Sequence, residues 1–98
     1  MASARPQQDL TDADLQAFFN DPSNYAGVPL EEVLRRLGPP TQYDDWDWGR
    51  IVYDWQRPSC RYILVTRGGY VKAAEELDAC DTSRFGTTVR AIWGDASP

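Results

Sequence analysis

The segment from Pro29 to Leu37 carries the clearest helix signal in the chain. Pro29 suits a first helical turn, because a backbone N–H at that position would have no partner within the helix. Two glutamates precede two arginines along the segment, which matches the dipole of a helix. Gly38 suits the left-handed position after a helix, and the two prolines that follow prevent its continuation. We therefore predict a helix over residues 29–37.

This helix has one apolar side and must pack against another element. The apolar residues repeat at helical spacing and are Leu30, Val33, Leu34 and Leu37. A first, shorter helix is predicted from Thr11, whose hydroxyl can cap it while Asp14 completes a capping box. Pro22 ends that helix, because proline disfavours a helical residue before it. The N-terminal third thus predicts two short helices.

The second half of the chain reads as β-structure. Strands are predicted at residues 51–56, 60–67 and 70–77, and the last two are joined by a Gly-Gly turn at 68–69. Residues 87–93 alternate like a final strand, the alternative being a tail held only by Trp93. We expect an α+β domain in which two short N-terminal helices pack on one face of a three- or four-stranded antiparallel β-meander. This domain would span residues 10–94, with a flexible lead at 1–9 and a tail at 95–98.

The Gly-Gly turn also predicts the register of its hairpin. A two-residue turn gives the pairs Thr66–Val71, Leu64–Ala73 and Tyr62–Glu75. Ala73 would then lie on the same buried face as Leu64, while Ile63 and Val65 would lie on a half-exposed face.

The stretch TQYDDWDWG, residues 41–49, combines acidic and aromatic residues and is predicted to be an irregular connection. Aromatic side chains with short polar neighbours are typical of protein interfaces. We predict these partner-binding residues, including two from the following strand: Asp44, Asp45, Trp46, Asp47, Trp48, Tyr53 and Trp55. The spacing of Asp45, Asp47 and Gly49 is too short for a calcium loop, and Gln56 stands where a bidentate glutamate is needed.

Charge and composition argue against several classes of function. The net charge of −5 disfavours a nucleic-acid partner. Residues 1–49 hold nine acidic and three basic residues, a net of −6, whereas residues 50–98 hold seven basic and six acidic residues, a net of +1. The chain has no histidine, the commonest general base and transition-metal ligand. No nucleophile motif or phosphate-binding loop accompanies its carboxylates, so we expect no catalysis, no metal and no cofactor.

Cys60 and Cys80 are the only cysteines. An even number in a small domain is compatible with one disulfide and an oxidising compartment, whereas two unrelated thiols are the alternative. Cys60 is expected to face Leu77, so a bridge requires the chain to curl back after that residue. We predict the bridge.

The location of the protein depends on how the chain begins. No run approaches the ~20 apolar residues of a membrane span, and residues 1–9 lack the apolar core of a signal peptide. If Met1 is the natural start, a cytoplasmic protein is expected. If MASARPQQ replaces a natural start, a signal or lipid-attachment segment has been removed, and peripheral membrane association through a lipid anchor is then expected.

Half of the chain, from Tyr25 to Ala74, resembles the SmpA/OmlA (BamE-like) family of small envelope lipoproteins. The family pattern is a helix of the form Gly-x-[ST]-x-x-x-Val-x-x-x-Leu-Gly-x-Pro, an aromatic strand, and a strand–turn–strand with glycine at the turn. The matching residues are Gly27, Val33, Leu37, Gly38, Pro40, Thr41, Tyr53 and Trp55. The β-lactamase inhibitor protein uses the same fold.

This resemblance implies a binding module rather than an enzyme. As an outer-membrane assembly accessory it would act in the periplasm or at the periplasmic face of the outer membrane, contacting other proteins through the sheet face that the helices leave uncovered. As an inhibitor or immunity protein it would block an enzyme or toxin, with Asp44, Asp45 and Asp47 meeting a basic active site. Neighbouring genes for a toxin or hydrolase favour the second reading, and a lipid-attachment cysteine favours the first.

Overall fold

The computed structural model describes residues 10–84 and 86–95 and shows two helices and a five-stranded antiparallel sheet. The helical part comprises α1 (Asp12–Asn20), a 3₁₀ turn (Pro22–Asn24) and α2 (Leu30–Leu37). The strands are β1 (Gln42–Trp46), β2 (Arg50–Gln56), β3 (Arg61–Arg67), β4 (Tyr70–Leu77) and β5 (Thr88–Gly94), and they follow one another across the sheet. The α+β class is confirmed, but the expected three or four strands are too few. The predicted lead at 1–9 and residues 96–98 of the predicted tail lie outside the described residues.

Both helices begin and end where local chemistry indicates. The Thr11 hydroxyl accepts from the Asp14 amide at 3.0 Å, and the Asp14 carboxylate accepts from the Thr11 amide at 3.2 Å, so the capping box is confirmed. Helix α2 starts one residue later than predicted, because Pro29 is its N-cap. It ends at Gly38 as expected, and the positive φ of 81° there favours glycine, although the ψ of −172° differs from that of a left-handed helical residue.

The strand that was not predicted is β1. Residues 42–46 lie in the stretch 41–49 that is predicted to be irregular, and the adjacent aspartates within it have low β-propensity. In the structure they pair with β2 throughout, from Gln42 opposite Asp54 to Trp46 opposite Arg50. Cross-strand contacts made by β2 therefore outweigh the local preference of this stretch.

One face of the sheet is covered by the two helices. Phe19 of α1 stacks on Tyr62 of β3 with ring centroids 4.5 Å apart and planes 4° apart. Trp55 is fully buried beside Phe19, and its indole N–H donates to the Gly38 carbonyl at 3.3 Å. The start of α2 is held by the β3–β4 turn, where the Leu30 amide donates to the Gly69 carbonyl at 2.8 Å.

The β3–β4 hairpin has the predicted turn but only part of the predicted register. Thr66 pairs with Val71 as expected, whereas Leu64 pairs with Ala74 and not with Ala73. The register shifts between Val65 and Thr66, where β4 accommodates one extra residue. This bulge moves Ala73 to the face opposite the helices.

That opposite face is buried, although it was predicted to be half-exposed. Its apolar cluster consists of Val52, Ile63, Val65, Ala73 and Leu77, each at most 6% exposed, with Trp46 packed at the side. The reason is non-local: after β4, residues 78–84 return along this face, where Asp81, Ser83 and Arg84 contact Arg61. The expectation of an uncovered sheet face available to a partner is therefore wrong.

The returning segment is held by Arg61, a β3 residue that is 1% exposed. Its Nε donates to both carboxylate oxygens of Asp54 at 3.2 Å, and its Nη2 approaches Asp54 Oδ2 to 2.6 Å. The same guanidinium donates to the backbone carbonyls of Asp81, Ser83 and Arg84. We call these five residues the Arg61 cluster. They join the strand core to the returning segment.

Gly86 completes the closure beside the Arg61 cluster. Its φ is 61°, in the left-handed region, and a Cβ placed on it would lie only 2.8 Å from Arg61 Nη1 and 3.0 Å from the Leu77 side chain. Glycine is therefore required here both by backbone conformation and by space.

We predict that removing the buried charge of Arg61 lowers the unfolding free energy more than removing an exposed arginine charge. Substituting Arg61→Ala leaves the buried Asp54 carboxylate without its cation and removes a donor from three carbonyls, so unfolding free energy should fall by about 3–5 kcal/mol. Urea unfolding measures this change. The control is Arg35→Ala, which removes an exposed ion pair with Glu32 and should cost about 1 kcal/mol or less. Equal losses in the two variants would contradict a structural role for the cluster.

Candidate functional site

The β1–β2 hairpin ends in a three-residue turn whose central residue is unusual. Trp48 has φ 69° and is 68% exposed, between Asp47 and Gly49. The left-handed conformation costs a non-glycine residue roughly 1–2 kcal/mol, and such positions tend to occur at functional sites. Because the ring remains mostly in solvent, burial within the fold returns little of that cost. The conformation thus presents an aromatic ring outward at the expense of stability.

A second aromatic residue is exposed along the same hairpin. Tyr43 of β1 is 68% exposed and stacks on its cross-strand partner Tyr53, with centroids 6.0 Å apart and planes 29° apart. Burial raises the pKa of the Tyr53 phenol, with a smaller contribution from Tyr43. The half-buried Tyr53 is thus the residue on which the exposed Tyr43 ring stacks.

Two carboxylates accompany these rings. Asp45 lies two residues from Tyr43 on the helix side of β1, and Asp47 opens the turn. Both are exposed. We call the four exposed residues Tyr43, Asp45, Asp47 and Trp48 the hairpin rim. It is an acidic and aromatic ridge along one edge of the sheet.

The other side of β1 belongs to the packing of the fold. Asp44 accepts two hydrogen bonds from Arg84, at 2.6 and 3.0 Å, and this contact raises the pKa of the Arg84 guanidinium. Trp46 is half-buried, with the Arg50 guanidinium 5.3 Å from its ring centroid. Of these two predicted partner-binding residues, Asp44 therefore binds the returning segment. Trp46 packs at the edge of the apolar cluster on the second sheet face.

The seven predicted partner-binding residues are thus separated by the pleat of the sheet. Asp45, Asp47 and Trp48 are exposed, Asp44, Trp46 and Tyr53 are half-buried, and Trp55 is fully buried. The prediction that Trp55 contacts a partner is wrong, because its position on β2 places the side chain under α2. Tyr43 was missed. Its pairing with Tyr53 was the available signal, and that pairing requires knowing that β1 is a strand.

The predicted disulfide is also wrong, since Cys60 and Cys80 are free thiols. Cys60 is buried in the helix-covered core, with its Sγ 3.8 Å from the Asp12 carbonyl oxygen, whereas Cys80 is exposed at the start of the returning segment. That segment crosses the opposite face of the sheet and does not curl toward Cys60. Burial, aided by the nearby Asp12 charge, raises the pKa of the Cys60 thiol to about 11.

The concave features include one small cavity and two open grooves, of about 320 Å³ between α1 and α2 and about 390 Å³ between α2 and the β3–β4 turn. A cavity of about 20 Å³ between Trp46, Asp54 and Arg84 has room for about one water molecule. Among residues 10–84 and 86–95, no three histidine, cysteine or carboxylate side chains are grouped closely enough to hold a metal ion. Within that same part of the chain, no helix is long and apolar enough to cross a membrane.

Comparison with known proteins found no matching family model, no similar curated protein and no similar solved structure. The hairpin rim and the closed second sheet face are therefore the features of the molecule that bear on its function.

The conformation of Trp48 predicts that its removal leaves stability intact. Asparagine tolerates the left-handed region better than tryptophan, so Trp48→Asn should leave the unfolding free energy unchanged or raise it by up to about 1 kcal/mol. Chemical denaturation measures the difference. A loss of more than about 1 kcal/mol would instead mean that the indole ring packs within the fold.

Proposed function

We propose that the chain is a non-enzymatic protein-binding module of the bacterial cell envelope and that the hairpin rim is its contact surface. The observation that carries this proposal is the exposure of Trp48 and Tyr43 on one hairpin, each 68%. Aromatic residues dominate the binding energy of protein interfaces, and each buries about 150–250 Å² when covered. The resemblance to small envelope lipoproteins supports the location, at the periplasmic face of the outer membrane.

The chemistry of the ionisable groups supports binding over catalysis. The buried Cys60 thiol stays protonated near neutral pH, because its pKa is raised to about 11. Hydrogen bonds from Ser83 and Thr87 lower the pKa of Asp81 to about 2, so this carboxylate stays ionised and is a poor general acid. The absence of histidine from the sequence removes the commonest proton-transfer residue near neutral pH.

The inhibitor function is a second candidate, because the same surface suits it. Trp48 stands in the turn of the β1–β2 hairpin, at a corner of the sheet, with the exposed carboxylate of Asp47 beside it. An exposed corner of this kind can contact the mouth of a cleft, and its negative charge favours a basic one. The two functions differ in the nature of the partner and not in the residues that contact it.

Capture from the envelope fraction of the source cell tests the proposal. The immobilised native domain is compared with Trp48→Asn and Tyr43→Ser, which remove the two exposed rings. Each should reduce retention of the captured protein at least tenfold, as expected for hot-spot residues worth more than about 1.4 kcal/mol. The captured protein also separates the two candidates, being an assembly component in one case and an enzyme or toxin in the other.

The matched control is Val89→Ser, which removes a side chain that is 61% exposed on β5, at the other edge of the sheet. This variant should retain the partner like the unmodified protein. Undiminished capture by Trp48→Asn and Tyr43→Ser, or equal loss in all three variants, would contradict a role for the hairpin rim.

A further inference from the structure

We infer that the outer edge of β1 receives an extended, basic segment of the partner as a sixth strand of the sheet. This inference rests on the proposed binding function and specifies the chemistry of the partner. Its basis is the backbone of β1, its exposed carboxylates, and the contrast between the two edges of the sheet.

β1 is a regular edge strand. It makes five consecutive antiparallel pairs with β2 without a register shift, and within the described residues β2 is its one strand neighbour. In an antiparallel sheet, alternate residues of an edge strand direct their N–H and C=O groups away from the sheet. These groups provide the template to which an added strand bonds.

The opposite edge, β5, is built differently. Its pairing with β4 contains two register shifts, and bulges of this kind disturb the straight edge that an added strand requires. Gly94 lies so close to β4 that a Cβ on it would overlap the Lys72 carbonyl oxygen. Arg90 is held by Glu76 at 3.0 Å and Asn20 at 3.2 Å. Of the two edges, β1 is therefore the one suited to strand addition.

The side chains of β1 specify the chemistry of the added strand. On the helix side, a new strand would lie beside exposed Tyr43 and, two residues on, exposed Asp45. Cross-strand pairing favours an aromatic or β-branched residue opposite the tyrosine and a lysine or arginine opposite the aspartate. Asp47 adds further negative charge at the turn. On the other side, Arg84 already neutralises Asp44, so the unmet demand for positive charge lies on the helix side.

A second copy of this chain is a poor occupant of the same edge. Symmetric antiparallel pairing of two β1 strands about their central residue, Asp44, places Tyr43 opposite Asp45 and leaves each Asp45 without a basic partner. A basic segment supplies that partner, because opposite charges directly across a strand pair are favourable. The charge pattern of β1 therefore favours a different, basic chain.

Titration of the folded protein with a defined peptide tests this inference. The probe is an acetylated and amidated peptide, Lys-Thr-Lys-Thr-Val-Thr-Val, which places lysine and valine on one side of an antiparallel strand. Amide NMR should show shifts along Gln42–Trp46, slower hydrogen exchange at the outward-facing amides, and millimolar or tighter affinity that weakens with salt. The same peptide with N-methyl groups on its bonding edge should not bind.

Charge variants provide the second part of the test. Asp45→Asn should weaken peptide binding several-fold, whereas Glu31→Gln, which removes an exposed carboxylate from α2, should leave it unchanged. The inference is overturned by an absence of β1 shifts at millimolar peptide, by shifts that survive N-methylation, by shifts centred on β5, or by dimerisation of the free protein through β1.

The outcomes also separate this inference from the proposed function. If the peptide does not bind β1 but capture of the envelope partner still depends on Trp48, the strand-addition inference is wrong and the hairpin rim remains the contact surface. If capture is also independent of Trp48 and Tyr43, both proposals are wrong.

Discussion

The buried ion pair of Arg61 with Asp54 is the contact on which the rest of the structure depends. A guanidinium with 1% exposure is costly unless its donors are satisfied, and here they bond the Asp54 carboxylate and three backbone carbonyls of the returning segment. A pair of this kind contributes little net stability compared with apolar residues. Its directional hydrogen bonds hold Asp81, Ser83 and Arg84 on the sheet face opposite the helices. A purely apolar contact is less directional and would specify their position less sharply.

Closure of that face determines which surfaces remain for binding. The returning segment reaches β1, where Arg84 pairs with Asp44 and Gln42 donates to the Arg84 carbonyl at 3.3 Å. One side of β1 is thereby fixed in the fold, while its helix side and the hairpin turn stay in solvent. The left-handed Trp48 and the stacked Tyr43 lie in this remaining region. The Arg61 cluster holds the returning segment on the second sheet face, so a partner cannot bind there. The hairpin rim is the surface that remains for binding.

Features governed by neighbouring residues were predictable from the sequence, and features governed by distant contacts were not. The Thr11 capping box, the end of α2 at Gly38 and the Gly-Gly turn depend on a few adjacent residues and are confirmed. β1 was missed because its pairing with β2 overrides the low β-propensity of two aspartates. The free cysteines and the covered second face have one cause, the path of residues 78–84. At the site, Asp45, Asp47 and Trp48 were identified as exposed candidates, whereas assigning Trp55 to the core required the position of α2.

Hydroxyl-radical footprinting of the free, folded protein tests most directly whether the second face is closed and the hairpin rim is open. Side chains of similar intrinsic reactivity are compared by mass spectrometry. The structure predicts fast modification of Trp48 and Tyr43, and slow modification of Trp55 and Tyr25, which are fully buried. It also predicts that Ile63 and Leu77 on the second face are as protected as Leu64 on the helix-covered face. Rapid modification of Ile63 and Leu77 would show that this face is open, and would contradict the account.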